Sequence, residues 1–354
     1  MYIHKCVCMY IRKERSSVMR KEEIHEIQPQ IKDTVAVNDL NSNSQEHGSN
    51  AIISLEPTKL DAMVESFIKF IDASENTTRT YTISLRQWFK YLYESGTTQP
   101  TMDTVLEYRK YLEQQGKKPT TIQNYIIAVK QFFKWTEAVH LYPNVAKYVK
   151  GAKLGHNFKK DYLTSKQAKK VLESIDTASL EGKRNYAMLA VMLTMGLRTI
   201  EVVRANIEDI RNAGENTVLY VQGKGHTDKD DLVRMPEHVE TAVREYLAAR
   251  KASDLSQPLF TSTSNRNKNG RMTTRSIRGI VKKIFRSVGL DSPRLTAHST
   301  RHTAATLSLL HGATMQQTQH LLRHKNIQTT EIYNHNINAA KNPASTDVDK
   351  ALFS

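Results

Sequence analysis

Cysteine is nearly absent: the 354 residues contain only Cys6 and Cys8, both near the N-terminal end. A single C-x-C lacks the second pair that a zinc site needs, and no disulfide framework can staple a core. That usage suits a reducing cytoplasm. Carboxylates spaced as a magnesium site are missing, as is H-E-x-x-H, so neither a metal nor a cofactor is expected. The densest acidic group, Asp228, Asp230 and Asp231, reads as a solvated hairpin loop. Long apolar runs are missing too. The longest, Tyr186 to Leu197, is too short to cross a bilayer. Lys5 and Arg12 interrupt any signal-like apolar stretch at the N-terminus. The expectation is a cytoplasmic protein with no membrane partner. Met19 offers an alternative start that would remove both cysteines.

Positive charge is what the chain has in excess: 51 Lys and Arg against 36 Asp and Glu, a net charge of +15. Such a balance favours an anionic partner, nucleic acid or a membrane surface. The excess is not spread evenly. Residues 151–340 hold 29 basic residues against 17 acidic ones, residues 56–150 hold 13 against 10, and both ends of the chain are balanced. A segment that sits on phosphates would be charged in this way, whereas a generally solubilising surface need not be.

The chain reads as mainly α-helical with two folded domains. Residues 1–55 form a poorly ordered tail, with an Asn-, Ser- and Gln-rich linker over 38–50. Residues 56–150 carry four runs of helical periodicity, such as Leu60, Met63, Val64, Phe67, Ile68 and Ile71. These make a small helical bundle whose aromatics form the core rather than a platform for bases. Its polar residues Lys117, Lys118, Thr120, Thr121 and Lys130 are candidates to touch a phosphate backbone. Residues 151–161 lack apolar periodicity and form a basic linker, where Lys153, Lys159 and Lys160 suit either a crossing over DNA or a solvated connector.

Residues 162–340 form a second domain, mostly helical with a small antiparallel sheet. Val218 to Gln222 alternates as a strand, and Gly223-Lys224-Gly225 begins a turn. Asp231 to Met235 returns antiparallel, and Pro258 to Thr261 is expected to add a short strand. Helices are expected at 236–249, 273–288, 297–310, 314–322 and 327–333, leaving 341–354 as a C-terminal tail.

Within this domain a set of polar residues stands out: Arg198, Lys224, His298, Arg301, His324 and Tyr333. Singly, each has an ordinary reading as a surface charge, a polar filler or a packed ring. Together they equip a site to attack a phosphodiester without metal. If Thr296 or a neighbour caps a helix, His298 and Arg301 share one face. A tyrosine hydroxyl, here Tyr333, conserves the energy of the broken bond in a covalent intermediate. Its ordinary pKa of about 10 makes it a poor nucleophile unaided. Arg198 and Arg301 would hold the non-bridging phosphate oxygens with permanently charged, paired donors. Lys224, on a bendable turn, would protonate the leaving oxygen. His298 and His324 would hydrogen-bond the phosphate or manage the tyrosine proton. Glu201, one turn beyond Arg198, would orient that arginine or His298.

These residues, in this order, resemble the tyrosine recombinase family, the phage-integrase and Xer-type enzymes. The family's pattern runs Arg, Lys in a hairpin, H-x-x-R, His or Trp, then Tyr. It falls here on Arg198 in Gly196-Leu-Arg-Thr-Ile-Glu201, Lys224, His298 and Arg301, His324, and Tyr333, over roughly 135 positions. H-x-x-R alone is a weak motif, while six residues in order are a specific one. Residues 57–150 resemble the family's core-binding domain. One departure is Leu322-Arg323-His324, where the family usually has Leu-Gly-His; Arg323 there alters the helix end and becomes a candidate phosphate contact. No N-terminal arm-binding module is evident in residues 1–55.

The resemblance implies a site-specific recombinase that integrates, excises or resolves DNA, as in mobile elements or chromosome dimers. It implies a clamp of two domains on double-stranded DNA with inverted half-sites and a homotetramer in the synaptic complex. It also implies a 3′-phosphotyrosyl intermediate, a freed 5′-hydroxyl and a Holliday junction. The tail beyond Asn342 becomes either a contact with a neighbouring subunit or a frayed end. An accessory or directionality factor stays open, as does the target sequence. Two other readings remain: a type IB topoisomerase-like nicking-closing enzyme, and a DNA-binding protein that kept the scaffold and lost catalysis.

Overall fold

The computed structural model describes residues 57–153, 161–223, 228–340 and 342–353. The chain divides into two compact units, Met1–Gly155 and His156–Ser354.

Among the described residues, the first unit holds four helices: α1 (Pro57–Ile71), α2 (Glu75–Glu94), α3 (Met102–Gln114) and α4 (Pro119–Ala138). Their ends follow local chemistry. Thr101 caps α3 through a reciprocal box with Thr104, and Pro119 opens α4 where its missing N–H costs nothing. The buried faces meet in an aromatic core of Phe67, Trp88, Phe89, Tyr108, Phe132 and Phe133. Trp88 and Tyr108 pack edge to face at 5.0 Å, and Phe89 and Phe132 at 5.3 Å. The aromatics are thus core, as their helical spacing implies.

The second unit begins with α5 (Ser165–Glu173), α6 (Leu180–Thr194) and the short α7 (Thr199–Arg204). Next come β1 (Ile210–Ala213), β2 (Asn216–Val221) and β3 (Asp231–Arg234). They pair antiparallel in that order, with Leu219 opposite both Ile210 and Val233. Then follow α8 (Glu237–Arg250), α9 (Thr274–Ser287), α10 (Ala297–Leu310), α11 (Met315–Leu322), α12 (Gln328–Ala340) and α13 (Ala344–Phe353). Helix α6 is the centre of this unit: Ala187 to Leu193 is buried without interruption, so a continuous apolar run becomes a helix enclosed by its neighbours.

Three details differ from the pattern in the sequence. Pro258 to Thr261 forms only isolated bridges, Asn206 with Pro258 and Thr261 with Arg271. Its polar backbone groups are satisfied elsewhere: the Leu259 N–H donates to the Ala205 carbonyl, and Arg250 donates to the carbonyl of Pro258. Asp231 pairs with Val221 in β3, which agrees with the antiparallel return expected from Asp231 and not with its place in the acidic loop. The tail beyond Asn342 contains helix α13, which buries none of its residues and leaves Val348, Leu352 and Phe353 exposed. No helix among the described residues is long and apolar enough to cross a membrane.

Candidate active site

The site is assembled where the C-terminal ends of two helices meet a third. Gly196 follows α6 with φ +60°, a conformation that a side chain resists. A Cβ at this position would also lie 2.9 Å from Leu322 Cδ2 and would push the tip of that side chain aside. Across the gap Thr296 caps α10 through a box with Ser299. Two residues into the helix comes His298, and one turn later Arg301, as the spacing implies.

Arg301 points into this junction and is 2 % exposed. Its Nη1 donates to the Gly196 carbonyl at 2.6 Å and its Nη2 to the carbonyl of Leu322. Those are carbonyls that helix ends leave without intrahelical partners, and they carry the negative end of each helix dipole. Burial, with Arg198 and Arg323 nearby, pushes the Arg301 pKa down to about 9, so the guanidinium is still charged at neutral pH.

Arg198 is the cap residue of α7, and its side chain is 26 % exposed. Glu201, fully buried, binds it twice: Oε2 accepts the Arg198 backbone N–H at 2.7 Å and Oε1 accepts Nη1 at 2.6 Å. Burial alone would raise the Glu201 pKa, but the charges of Arg323 and Arg198 and their hydrogen bonds outweigh it, and the carboxyl stays below its ordinary value. Arg198 and His298 open onto one cleft of about 470 Å³, also lined by Thr199, Thr274, Arg278 and Thr296. Neither Thr274 nor Arg278 was distinguishable in the sequence from the rest of the polar face of α9.

Tyr333 lies on α12 and is 6 % exposed, packed against Ala305, Leu309 and Leu322. Its ring faces His302 at 5.4 Å and stacks almost parallel to His324 at 6.5 Å. Burial raises the phenol's pKa, against the pull of Arg301 and Arg198. His324 is fixed through Nδ1 by the hydroxyl of buried Thr330, at 2.9 Å. His302 meets His298 edge on at 4.6 Å. Sequence reasoning assigned His302 no role, although it adjoins Arg301; nothing in the local pattern says that its ring meets the tyrosine.

Burial first, and then neighbouring positive groups, push the pKa values of His302 and His324 down to about 4. Both rings are therefore neutral at pH 7, and each retains an acceptor nitrogen. The unfolded chain would protonate them near pH 6.5 and the folded chain near 4, so the unfolded state binds more protons between these values. The expected result is a melting temperature that falls as pH drops from about 6.5 towards 4, and this loss should shrink in His302→Gln. A calorimetric pH series checks it.

Of the anticipated residues, Arg198, Glu201, His298, Arg301, His324 and Tyr333 converge here. Lys224 lies outside the described residues, as do Lys159 and Lys160. Arg323 is not displayed on the surface as a phosphate contact would be: its side chain is 4 % exposed and pairs with Glu201 at 2.7 Å. Lys117, Lys118, Thr120 and Lys153 are exposed in the other unit. Thr121 is half-buried, and Lys130 donates to the Val149 carbonyl at 2.9 Å.

The chain is similar to known proteins over most of its length. Residues 161–339 match the phage integrase family, and residues 64–139 match the phage integrase N-terminal SAM-like domain. Tyrosine recombinase XerD of Listeria innocua serovar 6a is 26 % identical over 299 residues, covering 78 % of this chain and 94 % of the relative. Tyrosine recombinase XerA of Pyrococcus horikoshii is 29 % identical over 274 residues, covering 77 % and 88 %. Among solved structures, XerH bound to palindromic difH substrate in a post-cleavage complex has a TM-score of 0.67 at 21 % identity, covering 82 % of this chain and 84 % of that one. A lambda integrase tetramer bound to a Holliday junction has a TM-score of 0.59 at 15 % identity, covering 77 % and 76 %.

Proposed function

Because the chain belongs to the phage integrase family and is a tyrosine-type site-specific recombinase, we propose that it cuts DNA with Tyr333 and holds the cut end as a 3′-phosphotyrosyl ester. The observation that carries this reading is the burial of one phenol between His302 and His324, in the same cluster as Arg301 and the Arg198–Glu201 pair. The phenol oxygen attacks the scissile phosphorus. The P–O bond to the 5′-oxygen breaks, and the strand leaves with a 5′-hydroxyl. Reversal, with a different strand's 5′-hydroxyl attacking, completes an exchange without loss of bond energy.

The residues divide this work. A raised phenol pKa means that the proton leaves only with help. A neutral imidazole at His324 or His302 retains the acceptor nitrogen for that. An arriving phosphate also adds negative charge, which favours imidazolium. Arg198, partly open to the cleft, meets the non-bridging oxygens directly. Arg301 spends two donors on backbone carbonyls and contributes a fixed positive charge at the base of the site. His298 adds a donor at the cleft, and Lys224 is assigned the protonation of the 5′-oxygen.

Double-stranded DNA is the partner to which the excess charge of residues 151–340 points, with inverted half-sites and a tetramer as the working assembly. The tetramer of lambda integrase on a Holliday junction supports that reading. Integration, excision and dimer resolution all use this chemistry.

The test uses a nicked suicide duplex carrying a site that the protein selects from random-sequence DNA. Mixed with the full chain in EDTA, it should yield a covalent adduct whose modified peptide contains Tyr333. Abolition by the chelator would refute the metal-free step, and an adduct on another residue would refute the assignment. Relaxation of supercoiled DNA without any preferred site would favour a nicking-closing enzyme instead.

A further inference from the structure

Arg323 occupies an unusual place. It ends α11 in the left-handed region, with φ 53°, where an L-side chain costs on the order of 1 kcal/mol and glycine is the ordinary choice. A solvated arginine would gain nothing there in return. This one is instead turned inward. Its Nη1 donates to the Leu321 carbonyl at 2.6 Å, and its Nη2 donates to Glu201 Oε2 at 2.7 Å, across 122 positions of sequence. The same Oε2 accepts the backbone N–H of Arg198, while Oε1 accepts the Arg198 guanidinium. One buried carboxylate therefore joins the end of α11 to the start of α7.

Resting on the reading of Arg198 as a phosphate-binding group, we propose that Arg323 is a positioning residue for strand cleavage: it holds Glu201 ionised and in place, and Glu201 in turn aims Arg198. Among the described residues, the charged groups that face this carboxylate fit those terms. Arg198 lies on its own helix, Arg323 closes α11, and Arg301 adds charge from α10. His324 is neutral, and Asp231 of β3 adds a negative charge towards Arg323. Arg323 is the buried cation that contacts Glu201 from outside α7; Arg198 is partly open to water. A buried carboxyl that loses its buried cation takes up a proton at higher pH. Protonated, Glu201 loses its ion pair with Arg198 and turns one of the two accepting oxygens into a donor, so it holds the guanidinium less firmly.

The variant Arg323→Gly removes the cation while easing the backbone at a positive φ. Single-turnover cleavage of the nicked suicide duplex is measured for the full chain from about pH 5.5 to 8.5. Arg323→Gly is expected to gain an acid limb absent from the wild type, cutting about tenfold more slowly near pH 6 than near pH 8, as one added proton allows. Arg323→Lys should restore most of the wild-type profile. Combining Arg323→Gly with Glu201→Gln should flatten the limb at a uniformly low rate. If the profiles of wild type and Arg323→Gly coincide, the proposal is overturned. A loss that is equal at every pH and accompanied by weaker DNA binding would also overturn it, in favour of a direct phosphate contact. A wild-type chain that forms no adduct at Tyr333 would overturn the reading of the whole site. An intact adduct with unchanged profiles removes only the role of Arg323.

Discussion

Tyr333→Phe should bind target DNA close to wild type and form no covalent complex with it. The substitution deletes one oxygen and keeps the ring that packs on Ala305, Leu309 and Leu322 and faces His302 and His324. The buried contacts of the ring, which hold α12 against α10 and α11, therefore survive, and the folded unit should melt within about 1 kcal/mol of wild type. What disappears is the oxygen proposed to bond to phosphorus. The expected adduct yield on the suicide duplex is nil, against a retained band in a mobility-shift assay. A Phe variant that still formed the adduct would move the nucleophile elsewhere. A variant that lost DNA binding as well would point to a role for the phenol in assembly.

Arg301→Ala should have the larger effect on stability, because it removes charge and structure together. The cut opens a void at the junction of three helix ends and strands the carbonyls of Gly196 and Leu322, which Arg301 now satisfies. Each stranded buried acceptor costs about 1–3 kcal/mol, so the unit should lose several kcal/mol of stability. Cleavage by whatever remains folded should slow by roughly 10²–10³-fold, the loss typical of one electrostatic donor. Arg301→Lys should rescue little, since an ammonium cannot span two carbonyls as a planar fork does. Arg198→Ala is the comparison. Partly exposed and bound to a single carboxylate, Arg198 should cost similar activity and far less stability. Thermal melts paired with single-turnover rates separate the two. Equal stability losses would contradict the distinction between a structural and a purely functional arginine.

The sequence carried this much because the informative features were local or ordered. Thr296 before an H-x-x-R places His298 and Arg301 on one helix, and the cap is there. Gly196 after an apolar run marks a helix end, and its positive φ supports that reading. The order of the six polar residues pointed to the family. What stayed hidden was long-range. No periodicity links residue 201 to residue 323, so Arg323 read as a basic residue available to phosphate when its charge is in fact spent inside. Nothing in the sequence marks His302, whose meeting with Tyr333 depends on how α10 and α12 pack. The edge strand β1 has one half-buried residue followed by three exposed ones, too weak a pattern to identify from alternation. Pro258 to Thr261 misled in the opposite direction, apolar enough for a strand but bonded to side chains.

The double duty of Arg301 bears on how such a chain would decay. A lineage freed from any need to cut DNA can discard the phenol at little cost to folding, yet discarding this guanidinium costs it several kcal/mol of stability, about 1–3 for each stranded carbonyl. Descendants that keep the scaffold only to occupy DNA should therefore retain an arginine here long after the tyrosine has drifted. Its presence alone testifies to a folded protein, and only the hydroxyl of Tyr333, the proposed nucleophile, would testify to a working one.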